Sequence, residues 1–331
     1  RAPYNPMLTT YYAFGKLEYE GMFPFGDLEQ IQKEVDFNLR REQVIKVHGS
    51  EHLVETENGS EQYDRILIAT GARAFAPPVK GLEPEDAFLM RTVEDALRFK
   101  DRLKKNDIKH AVVIGASMAG IKVVEVLHKY GIETWLLDLA SYIFPLAAYK
   151  EVAKEIEKRV EAQGVHLMFG VTIDHMEQEN GEKTAVLTDG SRIPADIVGL
   201  CIGTRAITET VQGEVEIGRG IVVDDHMRTS VPGIYAAGDC CEGNDLESGQ
   251  NQIIGLWANA NHQGETAGIN MAGGDMAYKG NILHNITHFM NMDFIGFGDN
   301  RMQGEVLEYG SLSEDLYIRL GLDGKRIVGA N

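Results

Sequence analysis

Short runs of branched and aromatic residues, several closed by a glycine, alternate along this chain with stretches in which apolar positions return every three or four residues. The runs Ile66-Leu67-Ile68, Ala111-Val112-Val113-Ile114, Thr134-Trp135-Leu136-Leu137, residues 196–202 and Gly233-Ile234-Tyr235-Ala236 predict strands. A strand covered on both faces reads as a nearly continuous apolar run. Residues 92–105, 118–130, 151–163 and 259–271 carry helical spacing, and Gly131 and Gly273-Gly274 stop two of these helices. Residues 44–48, 51–57 and 61–69, parted by Gly49 and by the hairpin signal Asn58-Gly59, predict a small antiparallel excursion. Residues 183–187, Asp189-Gly190 and Arg192-Ile193 predict a meander. The first 25 residues, with Pro3, Pro6 and Pro24 among aromatics, show no period and read as a surface segment that needs a surface to pack against. From Met276 onward the pattern is β-rich, with a hairpin signal at Asp323-Gly324, and it breaks off in mid-strand.

Strand, glycine turn, helix and strand in that order predict an α/β protein. The expected architecture is two Rossmann-type nucleotide-binding domains in three layers, with small antiparallel excursions, and a C-terminal α+β unit. The expected boundaries are 1–82 with 207–275, 83–206, and 276–331.

The turn Gly115-Ala116-Ser117-Met118-Ala119-Gly120 lies between a strand run and a helical run. There the first glycine permits a tight turn, and the third lets helix and strand pack closely. The helix N-terminus then faces a pyrophosphate. Ser117 replaces the middle glycine; its side chain limits backbone approach to phosphate and offers it a hydroxyl donor. Asp138 stands 23 positions after Gly115, at the end of the next strand. A carboxylate there accepts from ribose hydroxyls and repels a 2′-phosphate, so NADH is expected over NADPH. Gly203 closes the buried strand 196–202 and completes the set expected at the nicotinamide cofactor, which is Gly115, Ser117, Met118, Gly120, Asp138 and Gly203.

Net charge narrows the partners. With 32 basic against 50 acidic residues the chain carries −18, which opposes nucleic acid and anionic membranes. No window approaches the roughly 18 uninterrupted apolar residues of a membrane helix, and a cytoplasmic location is expected. Cys201, Cys240 and Cys241 are the only cysteines, without metal spacing, so neither a disulfide scaffold nor an iron–sulfur site is supported. Adjacent Cys240 and Cys241 read as small packing residues or as a strained vicinal disulfide. His284 and His288 have the i, i+4 spacing of a helical metal pair, but no third ligand is indicated, and no metal is expected.

Three segments carry a resemblance. Tyr63-Asp64-Arg65-Ile66-Leu67-Ile68-Ala69-Thr70-Gly71, the Gly115 turn, and Val231-Pro232-Gly233-Ile234-Tyr235-Ala236-Ala237-Gly238-Asp239 together resemble the FAD-dependent pyridine nucleotide-disulfide oxidoreductase superfamily. The resemblance implies that FAD is held by Thr70, Gly71, Gly238 and Asp239, the last through a ribityl hydroxyl. It also implies that the helix start at Trp257-Ala258 faces the flavin pyrimidine edge. No cysteine lies in Asn5-Pro6-Met7-Leu8-Thr9, where disulfide reductases of this superfamily carry a redox thiol. That segment is more similar to the ferredoxin, rubredoxin and nitrite reductase branch, which implies a ferredoxin- or rubredoxin-like protein, or a small molecule, as electron acceptor. A homo-oligomer remains open. Lys122 stands where the superfamily has a glutamate near the nicotinamide. It reads either as a contact to a flavin or substrate anion, or as a solvated lysine paired with Glu125. Nothing upstream of Arg1 supplies the superfamily's first strand and its glycine turn, so the chain is expected to start inside its FAD domain.

The function implied is NADH reduction of FAD followed by electron transfer to an acceptor without a redox disulfide, with no residue singled out as catalytic. The alternatives are a non-catalytic or electron-transfer flavoprotein subunit and, third, an NADH oxidase or peroxidase.

Overall fold

The computed structural model describes residues 2–298, 304–314 and 316–331; Arg1 and part of the C-terminal region lie outside the described residues. The chain divides into two compact units. One comprises 1–35, 74–203 and 284–331, and the other 36–73 and 204–283. This division follows packing, whereas the expected one followed the nucleotides. It groups the first 35 residues and the C-terminal strands with the segment expected to bind NAD.

In the first unit a five-stranded parallel sheet runs in the order Ala87–Phe88, Ile197–Leu200, His110–Ile114, Glu133–Asp138, His166–Phe169. The alternation of side chains splits its apolar residues between two cores. Ala111, Val113, Leu136 and Ile197 pack under the helices Met118–Lys129 and Lys150–Glu161. Val112, Ile114, Leu137, Val198 and Leu200 pack against Met176, Ala185 and Ile193. The latter three belong to an antiparallel sheet of Ile173–Glu179, Glu182–Leu187 and Arg192–Pro194, which confirms the meander and extends it by one strand. Helices, parallel sheet and meander form three layers, as expected.

The segment without sequence period folds as the helix Leu8–Phe14, a 3₁₀ turn Tyr19–Met22 and the helix Leu28–Glu34. Its packing surface is the pair of helices Val93–Leu103 and Met118–Lys129. Lys100 donates to the Tyr12 carbonyl at 3.1 Å, and Lys129 donates to the Phe14 carbonyl. Cations at a helix C-terminus complement its dipole. The regular elements among the described residues of 284–331 are strands, in the antiparallel order His284–Phe289, Met292–Gly298, Arg326–Ala330, Tyr317–Asp323, Glu305–Gly310.

The second unit holds a three-stranded antiparallel sheet (Val44–His48, Leu53–Thr56, Gly59–Gln62), where the Asn-Gly signal was read, and the helix Trp257–Met271. Ile66–Ile68 pairs in parallel with Ile234–Ala236. Around that pair Val47, Val211, Ile221, Met227, Ala267 and Tyr278 form a core. Ala72–Ala74 pairs with Thr204–Ala206. Flanking bonds run from the Ile207 amide to the Gly71 carbonyl and from the Phe75 amide to the Gly203 carbonyl, both 2.9 Å.

Candidate functional site: two glycine turns

In the first unit the glycine turn leaves the strand His110–Ile114 with Gly115 at φ +105°, a value that L residues avoid. A Cβ on Gly115 would strike the Cys201 carbonyl, coming within 2.7 Å of its carbon, and one on Gly120 would strike the Gly115 carbonyl oxygen. Both glycines are therefore required by close backbone approach, at Gly115 by the dihedral as well. Ser117 caps the helix Met118–Lys129: its Oγ accepts from the Gly120 amide at 3.3 Å and donates to the Cys201 carbonyl at 3.1 Å. A hydroxyl has one hydrogen, so here the donor expected at the phosphate is directed into the protein. Met118 opens the helix beside it.

Asp138 ends the neighbouring strand, half-buried. One carboxylate oxygen accepts from the Ala116 amide at 2.7 Å and the other from the Ala140 amide at 2.8 Å. These bonds fix its orientation, and each oxygen keeps a lone pair for a diol. Gly203, exposed at φ +104° with open space around it, follows the third adjacent strand, Ile197–Leu200. The residues expected at NAD thus gather at the C-terminal ends of three neighbouring parallel strands, where open α/β sheets bind ligands.

In the second unit Thr70 and Gly71 (φ +68°) follow Ile66–Ile68, and Gly238 (φ +83°) and Asp239 follow Ile234–Ala236. Parallel pairing makes the two turns neighbours, joined by the Ala237 amide on the Ile68 carbonyl at 3.1 Å. Thr70 Oγ1 donates to the Ile207 carbonyl at 2.5 Å. Trp257 and Ala258 open a 15-residue helix without a side-chain cap. Gln263, about one turn beyond Asn259 on that helix and buried, accepts from the Gly238 amide at 2.8 Å. Its Nε2 is buried without a hydrogen-bond partner among the described residues. Gln263 is the site neighbour that residue type alone did not single out. Its place in the helical run 259–271 was legible, its contact was not.

Two expectations change, and one choice between readings is settled. Lys122 pairs with Glu125, as one of the two readings held, but at 1% exposure it is buried, not solvated. Burial pushes its ammonium below the ordinary lysine value, against the pull of Glu125. His284 and His288 lie on a strand, not a helix, so their spacing does not make a helical metal pair. Cys240 and Cys241 are free buried thiols, with Cys240 Sγ 3.4 Å from the Ile68 carbonyl oxygen and 3.3 Å from that of Ala237. They pack beneath the glycine turns rather than forming a vicinal disulfide.

Comparison with known proteins agrees with this geometry. The family model for pyridine nucleotide-disulphide oxidoreductase matches residues 2–264. An NADH oxidase of Streptococcus pyogenes is 28% identical over 84% of this chain and 68% of its own length. The ferredoxin--NAD(+) reductase component of a 3-phenylpropionate/cinnamic acid dioxygenase of Photorhabdus laumondii is 27% identical over 99% of this chain and 83% of its own. The NAD-dependent persulfide reductase from A. fulgidus superposes with a TM-score of 0.90 at 25% identity, covering all of this chain and 66% of that one. The chain spans 47% of a second NADH oxidase, from Methanocaldococcus jannaschii. The matched length and the glycine turns together establish that this chain belongs to the pyridine nucleotide-disulphide oxidoreductase family.

Proposed function

We propose that this chain is the core of an FAD-dependent NADH:acceptor oxidoreductase. The observation that carries this reading is the presence of two glycine-turn sites, one beside Asp138 and one with Asp239, each at the C-terminal ends of parallel strands. When bound, the two cofactors supply the chemistry, a hydride passing from nicotinamide to flavin and electrons leaving to an acceptor.

The protein's part is holding and orienting. At the first turn Gly115 and Gly120 leave room for backbone to approach a pyrophosphate, and the first amides of the helix Met118–Lys129 face it. Asp138, held by two amides, accepts from the ribose and disfavours a 2′-phosphate, which selects NADH. Met118 and Gly203 flank the nucleotide. At the second turn Thr70, Gly71 and Gly238 keep the backbone low, and Asp239 accepts from a flavin hydroxyl. Trp257 and Ala258 present a helix N-terminus, whose partial positive charge stabilises electron density on a reduced ring. The FAD site belongs to residues 36–73 and 204–283, and the NAD site to 74–203.

A thiol relay is not part of this proposal. Cys201, Cys240 and Cys241 are all buried, and burial pushes the Cys201 thiol up to about 12. The acceptor is then a ferredoxin- or rubredoxin-like protein or a small molecule. No helix among the described residues is long and apolar enough to cross a membrane. Absorption spectroscopy tests the reading: flavin bands that bleach on anaerobic addition of NADH support it. Protein that cannot be reconstituted with FAD would refute it.

A further inference from the structure

Three segments distant in sequence meet on one turn of the helix Met118–Lys129. Lys122 Nζ donates to the His288 carbonyl at 2.7 Å and pairs with Glu125. Glu125 Oε1 accepts from the Met290 amide at 3.2 Å and lies 3.3 Å from Lys16 Nζ. Lys122 Nζ also sits 4.5 Å over the Tyr11 ring. Gln163, beyond the next helix, donates through Nε2 to the Met290 carbonyl at 3.1 Å.

The captured backbone is the two-residue turn between His284–Phe289 and Met292–Gly298. Met290 and Asn291 there have φ of +46° and +62°, in the pairing frame Phe289 opposite Met292. Such primed turns favour Asn and Gly, so Asn291 suits its place, and Met290 does not. A buried methionine in the left-handed region persists where its surroundings over-determine it. Here the His288 carbonyl and the Met290 amide are held by side chains of the helix Met118–Lys129, and the Met290 carbonyl by Gln163, just past the end of the helix Lys150–Glu161. Burial alone would raise the Glu125 carboxyl. The Lys122 bond and charge, the Met290 amide and Lys16 outweigh it and hold the group below its usual range, so the cluster keeps its charge.

We propose that Lys122 and Glu125 are positioning residues that couple this turn to the glycine loop opening the same helix, one to two turns away. Nucleotide binding at Gly115 to Gly120 and ordering of the hairpin 284–298 are then one linked equilibrium, each strengthening the other. A turn in a disfavoured conformation suits such a link, because releasing it frees both the hairpin and the helix that it grips. The inference rests on the NAD assignment above.

Hydrogen exchange read by mass spectrometry on the full chain tests it, with and without saturating NAD⁺. In the wild type NAD⁺ should slow exchange both at 115–120 and across 284–298. In Lys122→Met, which keeps the aliphatic volume and removes the bond to His288, protection at 284–298 should vanish, and NAD⁺ affinity should fall about five-fold. Gln163→Leu loosens the turn without touching the Met118–Lys129 helix, so its hairpin should exchange faster and still respond to NAD⁺. An unresponsive wild-type hairpin, with 115–120 protected, would overturn the coupling and leave the nucleotide site standing. So would a Lys122→Met protein whose hairpin still responds. Absence of protection at 115–120 would overturn the NAD assignment and the coupling together. Should Lys122→Met not fold, the wild-type comparison decides alone.

Discussion

Replacing Gly115 by alanine separates two costs that glycine turns usually combine. The first is conformational: at φ +105° an L residue is strained by about 1–2 kcal/mol. The second is steric. The new Cβ would lie 2.7 Å from the Cys201 carbonyl carbon and 3.2 Å from the Ile202 amide nitrogen, and both are backbone atoms of a central strand's extension. They cannot turn aside as a side chain can, so strand or helix must shift, at about 1–3 kcal/mol for overpacking. The sum, about 2–5 kcal/mol, is a large share of the about 5–15 kcal/mol that stabilises a folded protein. Gly164→Ala is the control, since Gly164 has φ +88° and no atom within 4 Å of the added Cβ, so it carries the conformational cost alone. Urea unfolding of both variants reads the difference, and nicotinamide fluorescence reads NADH affinity. We expect Gly115→Ala to be the less stable by about 1–3 kcal/mol and to bind NADH at least about ten-fold more weakly, as a loss of 1.4 kcal/mol requires. Equal stability of the two variants would show that close approach at Gly115 constrains nothing. Unchanged NADH affinity would remove the nucleotide from this turn.

Asp138→Ala should lower kcat/KM for NADH about ten- to a hundred-fold, the worth of a charged hydrogen bond to the ribose, and should spare NADPH; an unchanged NADH to NADPH ratio in steady-state kinetics would refute the role. The pH dependence of stability should carry a contribution from His226. Its hydrogen bonds to Asp225 (2.6 Å) and Asp275 (2.9 Å) raise its pKa, so the native state holds the proton more tightly. The contribution is full below the ordinary histidine value and is lost as pH rises through the raised one. His226→Gln should therefore flatten the fall in urea midpoint above about pH 6.5. In the native protein an aromatic disulfide reagent at pH 8 should label none of the three cysteines, and in urea all three, because each is buried. Rapid native labelling would contradict that packing.

The glycine turns were legible in sequence because their spacing is local, although the close approach that demands Gly115 comes from distant Cys201. Gly115, Gly120 and Asp138 sit at fixed spacing between a strand run and a helical run, and the backbone demands that explain them arise within that same unit. Lys122 was not legible in the same way. Its pairing with Glu125 follows from helical spacing, but its burial depends on Tyr11, His288 and Met290, which only tertiary folding brings near. His284 and His288 show the opposite failure. A separation of four places two residues on one face of a helix and also on one face of a strand, so spacing alone did not choose. The helix Leu8–Phe14 is two turns long, and its buried positions include Thr9 and Thr10 as well as Ala13. Too few residues, and the wrong types, carried its period. Ser117 was read as a phosphate donor because its neighbour Cys201, 84 positions later, could not be seen.

The ladder that runs from Gly71 and Ile207 to Phe75 and Gly203 has an evolutionary consequence. The chain enters and leaves residues 74–203 through one hydrogen-bonded neck, so the two ends of that segment already touch, although it also packs against residues 1–35 and 284–331 of the same unit. Closing a loop costs only slowly more as it lengthens, and the neck itself is indifferent to what lies beyond it. A gene segment encoding residues 74–203 could therefore be exchanged for one of different nucleotide preference while the strand pairing at its base stays the same, provided it keeps the surfaces that residues 1–35 and 284–331 bury. Recombination would need breakpoints only at the neck, where ends that lie together at a surface make insertion tolerable.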